Sequence, residues 1–163
     1  MIEPDMLDVL LLPLLPAQKA DNIAAYTLCH SVLRRTTTSM QIPLSGYINN
    51  LLIGAGTTAS GSEIVSEDLY PLIFELHKIN PELLLRILPN VCVQLHVEDE
   101  DVRLKAVKLL GRLFASQLAD YGSEFSKNFK EFLGRFGDVS VSVRLEVVDC
   151  AALIIRKKAY TIR

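Results

Sequence analysis

The triplet Val102-Arg103-Leu104 returns as Val143-Arg144-Leu145, an offset of 41 residues. At the same offset Ala106-Val107 becomes Val147-Val148, Leu110 becomes Ala151, Leu88 falls on Phe129 and Val91 on Phe132. A further shift of 81 or 82 residues brings Ala24 and Ala25 onto the small position. Apolar residues recur at helical spacing almost throughout, and no segment alternates as a half-buried strand does. A two-helix unit of this period has too little apolar area to stand by itself and stacks on its neighbours. The spacing predicts an all-α fold, an α-solenoid of about four antiparallel helical hairpins. Their limits fall at about 1–40, 41–79, 80–120 and 121–163, in one segment spanning 1–163.

The helix boundaries follow from caps and prolines. A first helix is expected over Pro4 to Leu15, closing at Pro16, and a second over Asp21 to Thr38. Pro43 suits the first turn of a third helix that ends in the loop beginning at Gly54. Ser62 or Ser66 would cap a fourth, burying Leu69, Leu72, Ile73 and Leu76. A fifth opens at Asn80-Pro81 and runs to Leu95, bent at Pro89. The acidic run Glu98 to Asp101 favours the start of a sixth. A seventh over Ser123 to Phe136 would bury Phe125, Phe129, Phe132 and Phe136, and an eighth covers Ser140 to Lys157.

Composition removes several function classes. The net charge of −2 and pI of about 5.9 give no global basic face, so direct DNA binding is not expected. Leu7 to Leu15 is apolar, but Glu3, Asp5 and Asp8 stand where a signal peptide needs positive charge. The run is also shorter than the ~18 residues that span a bilayer, so no membrane segment is expected. Cys29, Cys92 and Cys150 are too widely spaced for a CxxC pair and read as buried hydrophobes in a reducing compartment. His30, His77 and His96 lie on different helices or helix ends and read as surface or turn residues, so no metal is expected. Gly54, Gly56 and Gly61 follow a helix and lack the Lys of a phosphate loop. Ser31, Ser39 and Ser116 have no His and acid at catalytic spacing, and no GxSxG occurs. No enzyme activity and no cofactor are expected.

The Val-Arg pair near the start of the sixth and eighth helices resembles the HEAT consensus, while the two N-terminal hairpins lack the Arg. In that family an Asp in the turn, about six residues before the Arg, pairs with it in a ladder between repeats. Asp138 and Arg144 fit that spacing. Val97 occupies the Asp position of the preceding repeat, which leaves Asp99 or Asp101 as the substitute partner of Arg103. Lys105, Lys108 and Arg112 share one exposed face of the sixth helix, and Glu146 and Asp149 align with the two lysines one repeat later. Second helices line the concave side of a HEAT superhelix. These five residues are the candidate partner-binding set, a groove for a charged peptide or anion or else a solvated face with ion pairs between repeats.

Leu83 to Ser116, LLLRILPNVCVQLHVEDEDVRLKAVKLLGRLFAS, resembles the sister-chromatid cohesion family named for precocious dissociation of sisters. Phe132 to Asp149, FLGRFGDVSVSVRLEVVD, looks like the same family's next repeat, and Ala25 to Thr36, AYTLCHSVLRRT, like an earlier helix. The resemblance implies a segment from the N-terminal third of a nuclear, chromatin-associated, non-catalytic scaffold that regulates cohesin. Family members bind the kleisin subunit of the cohesin ring and work with the wings-apart-like release factor. Two other readings stand beside it, an unrelated HEAT scaffold for transport or trafficking and an anion or nucleic-acid binder using the local basic stripe. Helix one and the apolar run Val147, Val148, Ala151, Leu153, Ile154 and Ile155 expect neighbours, as in a segment of a longer solenoid.

Overall fold

The computed structural model describes residues 4–54, 64 and 66–159. Every regular element among them is helical. The chain divides into two compact units, Met1–Leu88 and Pro89–Arg163.

Prolines cut the first unit's helices where the hydrophobic pattern runs on. α1 (Pro4–Leu11) passes into a 3-10 turn, Leu12–Leu14, and α2 (Pro16–Asp21) starts afresh. Leu15 adopts φ −62° and ψ 141°, the extended backbone that a following proline enforces. The single helix expected over Pro4 to Leu15 is therefore shorter, and α3 (Ile23–Arg35) begins after Asn22 rather than at Asp21. The Asn22 side chain accepts from the Ala25 amide at 3.0 Å and caps it. α4 (Thr37–Gly54) follows after the one-residue break at Thr36. Pro43 thus lies inside α4 instead of in a first turn. The expected caps do not enter this description: Ser62, Gly56 and Gly61 lie outside the described residues, as does the Ser66 side chain.

α5 (Ser66–Ile79) buries Leu69, Leu72, Ile73 and Leu76, the four residues its spacing selects. Leu44 and Ile48 of α4 and Leu33 of α3 are equally enclosed. Polar side chains tie the unit together: Asn80 Nδ2 donates to Thr37 Oγ1 (3.2 Å) and Gln41 Nε2 to the Glu82 carbonyl (2.9 Å). Tyr47 donates to the buried Asp8 carboxylate, and Tyr26 to Glu75 Oε2.

The helix expected from Pro81 to Leu95 is broken rather than bent. A 3-10 turn (Pro81–Leu84) precedes α6 (Leu88–Val93), and Gln94–His96 closes in 3-10 form. Pro89 is the second residue of α6, where its missing N–H falls among those a helix start leaves unpaired. α7 (Glu100–Phe114) is capped by Asp99, whose Oδ1 accepts from the amides of Asp101 (2.9 Å) and Val102 (3.2 Å).

The seventh expected helix is also divided, into α8 (Tyr121–Glu124), α9 (Ser126–Gly134) and a 3-10 turn, Arg135–Gly137. Phe136 sits in that turn and is 44% exposed, because the three-residue period rotates it off the apolar face. Phe132 is fully buried and stands against Phe114. α10 (Val141–Ala159) completes the unit and packs along α7 more extensively than any other pair of elements. A Cβ built on Gly111 would lie 2.2 Å from Cys150 Sγ, so α7 and α10 approach through a glycine.

All three cysteines are buried and unbridged, and burial pushes the Cys92 and Cys150 thiols up to about 12. His77 departs from expectation. It is 1% exposed, and burial, with the Lys78 charge adding to it, lowers its pKa to about 4. A spacing that places His77 one residue after Leu76 does not reveal that the ring is buried, with Phe74 beside it.

Two measurements follow from this packing. His77 binds its proton less readily folded than unfolded, so stability is full above pH ~6.5 and falls as the pH drops toward about 4. Urea titrations at stepped pH are expected to show that slope in the wild type and a flatter one in His77→Gln. Gly111→Ala, which would ordinarily favour a helix by about 1 kcal/mol, is instead expected to destabilise by about 1–3 kcal/mol through overpacking. Pairing it with Cys150→Gly, which removes both the sulfur at 2.2 Å and the Cβ at 2.5 Å, should recover more of the loss than Cys150→Ala, which removes only the sulfur.

Candidate functional site

The second unit is organised around one guanidinium. Arg103, on the first turn of α7, is 6% exposed. Its Nη1 donates to the carbonyls of Val97 (2.9 Å) and Glu98 (2.6 Å), closing the turn that precedes its own helix. Its Nε and Nη2 donate to Asp138 Oδ2 and Oδ1, each at 3.1 Å. This two-pronged match of a planar fork to a carboxylate is the strongest geometry available to such a pair.

The pairing differs from the expected one. Asp138 was assigned by spacing to Arg144, six residues on, but its carboxylate goes to Arg103 of the preceding repeat. Arg144 Nη1 takes the Asp138 and Val139 carbonyls instead (2.6 and 3.1 Å). Neither Asp99 nor Asp101 substitutes as the partner of Arg103, because Asp99 caps α7 and Asp101 stands exposed in its first turn. Six residues is the distance at which an arginine reaches back to its own turn's carbonyls. The side-chain partner comes from the next repeat, 35 residues along.

Three further residues belong to this junction and were not singled out from sequence. Arg135 Nη1 donates to the Leu95 carbonyl (3.1 Å) and lies 3.5 Å from Asp138 Oδ2. Ser140 donates its amide to Asp138 Oδ1 (2.9 Å) and its hydroxyl to Glu100 Oε1 (2.7 Å). That hydroxyl also accepts from the Val143 amide (3.4 Å), capping α10. The Asp-x-Ser spacing before a Val-Arg helix was the available signal, since such a turn supplies both a carboxylate and a cap.

Burial by itself would raise the Asp138 carboxyl. The Ser140 amide, the Arg103 hydrogen bond and the charges of Arg103 and Arg135 outweigh it and hold the group below the ordinary carboxylate value. The stability this adds is present above the usual carboxylate range and lost as the pH falls through the depressed value.

The candidate binding stripe lies on the exposed side of the same two helices. Lys108 and Arg112 are exposed and Lys105 is half-buried; Asp149 is exposed and Glu146 half-buried. Lys108 Nζ stands 3.7 Å from Glu146 Oε2, a pair worth about 0–1 kcal/mol at such exposure. The contact is diagonal, since Glu146 aligns in sequence with Lys105. On α10 the aligned residues are acidic, so the basic stripe of α7 stops there. Among the described residues no group of three or more His, Cys, Asp and Glu side chains is placed to hold a metal ion. None of the described helices is long and apolar enough to cross a membrane.

Removing one partner of the buried pair strands the other. Arg103→Ala is expected to cost about 3–5 kcal/mol in chemical denaturation, whereas Arg103→Met with Asp138→Leu should cost far less. The double variant should also lose the acid-side decline in stability attributable to Asp138.

The sequence matches the family described as sister chromatid cohesion protein PDS5 over residues 1–162. Similar curated proteins include PDS5 homolog B of Gallus gallus and of Homo sapiens. Each is 34% identical over 151 residues, covering 93% of this chain and 10% of the relative. PDS5 homolog A of Danio rerio is likewise 34% identical, with 11% of its length covered. The chain therefore spans about a tenth of the length of the curated relatives it matches. The fold is similar to a chain of the solved Pds5–Scc1 complex, with a TM-score of 0.78 and 21% identity over 96% of this chain and 26% of that one. The fold class read from the 41-residue period, an all-α HEAT-repeat solenoid, stands. The chain belongs to the PDS5 family of sister chromatid cohesion proteins.

Proposed function

We propose that this chain is a non-catalytic, protein-binding segment of a cohesin regulator that works on chromatin in the nucleus. The observation that carries the reading is the family match across residues 1–162. The likeness to a chain solved with Scc1 supports a kleisin as the partner class. The wings-apart-like release factor enters through the family resemblance and is the second partner to test. A stack of helical repeats suits this role, because it presents long side-chain rows to an extended ligand without enclosing a pocket.

Within the segment, Lys105, Lys108 and Arg112 on α7, with Glu146 and Asp149 on α10, are the proposed contact surface. Adjacent rows of opposite sign select a partner carrying both charges and set its direction. The nucleic-acid reading is the weaker one: phosphate binding needs cations that continue from helix to helix, and α10 puts Glu146 and Asp149 where they are required.

The test is a pull-down of full-length parent carrying Lys105→Glu, Lys108→Glu and Arg112→Glu against the kleisin, the release factor and the assembled ring. Capture reduced by about tenfold or more is expected for one partner, corresponding to about 1.4 kcal/mol. Unchanged capture of all three would remove this stripe from the interface. Capture of none by the wild-type parent would overturn the cohesin assignment.

A further inference from the structure

Four hydroxyl side chains, Thr36, Thr37, Thr38 and Ser39, stand in a row directly after Arg34 and Arg35. Residues 1–88 carry nine acidic and five basic side chains, and Arg34-Arg35 is the one place there where two cations adjoin. Both arginines are exposed. The remaining arginine of the unit, Arg86, is followed by Ile87, Leu88, Pro89 and Asn90, with no hydroxyl among them. An enzyme that modifies hydroxyls and selects them by arginines a few residues upstream therefore finds one address in this unit.

Spacing by itself points to Thr37, which has arginines both two and three residues before it. The fold removes that choice. Thr37 is 6% exposed. Its Oγ1 donates between the carbonyls of Leu33 and Arg34, 3.1 Å from each, and accepts from Asn80 Nδ2 at 3.2 Å. Two more of the hydroxyls are engaged: Thr36 Oγ1 donates to the Val32 carbonyl (2.8 Å) and Ser39 Oγ to the Thr36 carbonyl (3.0 Å). Thr38 is exposed, and of the four it is the one whose hydroxyl has no hydrogen-bond partner among the described residues. Arg35 stands three residues before it and Arg34 four. Thr38 also lies in the first turn of α4, next to the break at Thr36 (φ −106°, ψ 17°), where local opening of the backbone costs least.

We propose that Thr38 is a phosphorylation site for an arginine-directed serine/threonine kinase, and that burial shields Thr37 from the same enzyme. In the transfer, Thr38 Oγ1 attacks the γ-phosphorus of ATP. The Oγ1–P bond forms and the bond from that phosphorus to the β,γ-bridging oxygen breaks; the hydroxyl proton passes to a carboxylate of the kinase and ADP leaves. The product adds a charge of about −1.5 to −2 close in sequence to two arginines, so the one cationic stretch of the unit becomes nearly neutral. The phosphate stands on an exposed position of α4, away from the buried Leu33, Leu44 and Ile48. The site belongs to the first unit, so it does not rest on what the charged stripe of the second unit binds.

The experiment incubates the full-length parent, and separately a synthetic peptide of residues 31–42, with the catalytic subunit of cyclic-AMP-dependent kinase and magnesium ATP. Fragment-ion mass spectrometry then locates the phosphate. The flexible peptide is expected to be labelled at Thr37, as its spacing directs. The folded parent is expected to be labelled at Thr38, with Thr37 slower than in the peptide by about tenfold or more. Thr38→Val should abolish labelling of the native segment, and Arg35→Ala should slow it by about tenfold or more. A folded parent labelled at Thr37 or Ser39, or left unlabelled across residues 36–39, overturns the proposal; a peptide with the same site preference as the folded chain overturns the shielding. Parent recovered from growing cells with phosphatases inhibited should carry phosphate on Thr38, and its absence there overturns the site as one used in the cell. Thr38→Glu should leave the thermal midpoint within about 2 °C, whereas Thr37→Glu, which buries a carboxylate, should lower it by about 8 °C or more. Equal losses in the two variants would overturn the distinction between the two threonines.

Discussion

Arg103 joins two repeats by spending its hydrogen bonds on both at once. One amino group closes the turn before α7, and the other edge grips the carboxylate that opens the turn before α10. Neither turn has its full set of partners without the other. The apolar seam between α7 and α10 supplies most of the attraction, since burial of hydrocarbon is not directional. A seam of leucines and valines tolerates sliding by a helical turn; a fork-on-carboxylate contact with both partners nearly inaccessible does not. Its role here is to fix which turn sits against which, and stability relative to a packed apolar pair is a secondary matter.

That division of labour explains what could be read from the sequence. The 41-residue offset and the helical spacing describe the seam, and they predicted the helical class, the burial of Leu69, Leu72, Ile73 and Leu76, and the alignment of Val107 with Val148. They describe each residue's neighbours along one helix. The partner of Arg103 lies one repeat away, so spacing within a repeat pointed Asp138 to the wrong arginine. Helix ends were misplaced for a related reason. Pro13, Pro43 and Pro89 act through backbone hydrogen bonds, and whether a proline ends, bends or starts a helix depends on which carbonyl has another partner. Phe136 and His77 show the same limit for burial, one turned outward by a 3-10 step and the other enclosed by packing its own helix does not reveal.

The candidate stripe was legible as a set of charges but not as an arrangement. Sequence alignment pairs Lys105 with Glu146, whereas the offset between packed helices brings Lys108 to Glu146. The consequence for recognition is that the two signs are interleaved and each row is partly compensated by the other. A ligand at the proposed surface would have to displace the weak Lys108–Glu146 ion pair, which would penalise a partner of uniform charge and favour one patterned along its length.

Gly111 has a mechanical meaning as well as a steric one. It is the point at which α7 and α10 come within backbone reach, and the Cys150 sulfur fills the gap. A solenoid's curvature is the sum of small rotations, one per joint. A spacer one methyl group thicker at this joint pushes the helices apart at a single place, so it tilts α10 rather than merely translating it. The tilt grows along the helix, as a lever multiplies a displacement at its fulcrum. The absence of one carbon at position 111 therefore sets the angle at which α10 lies across α7.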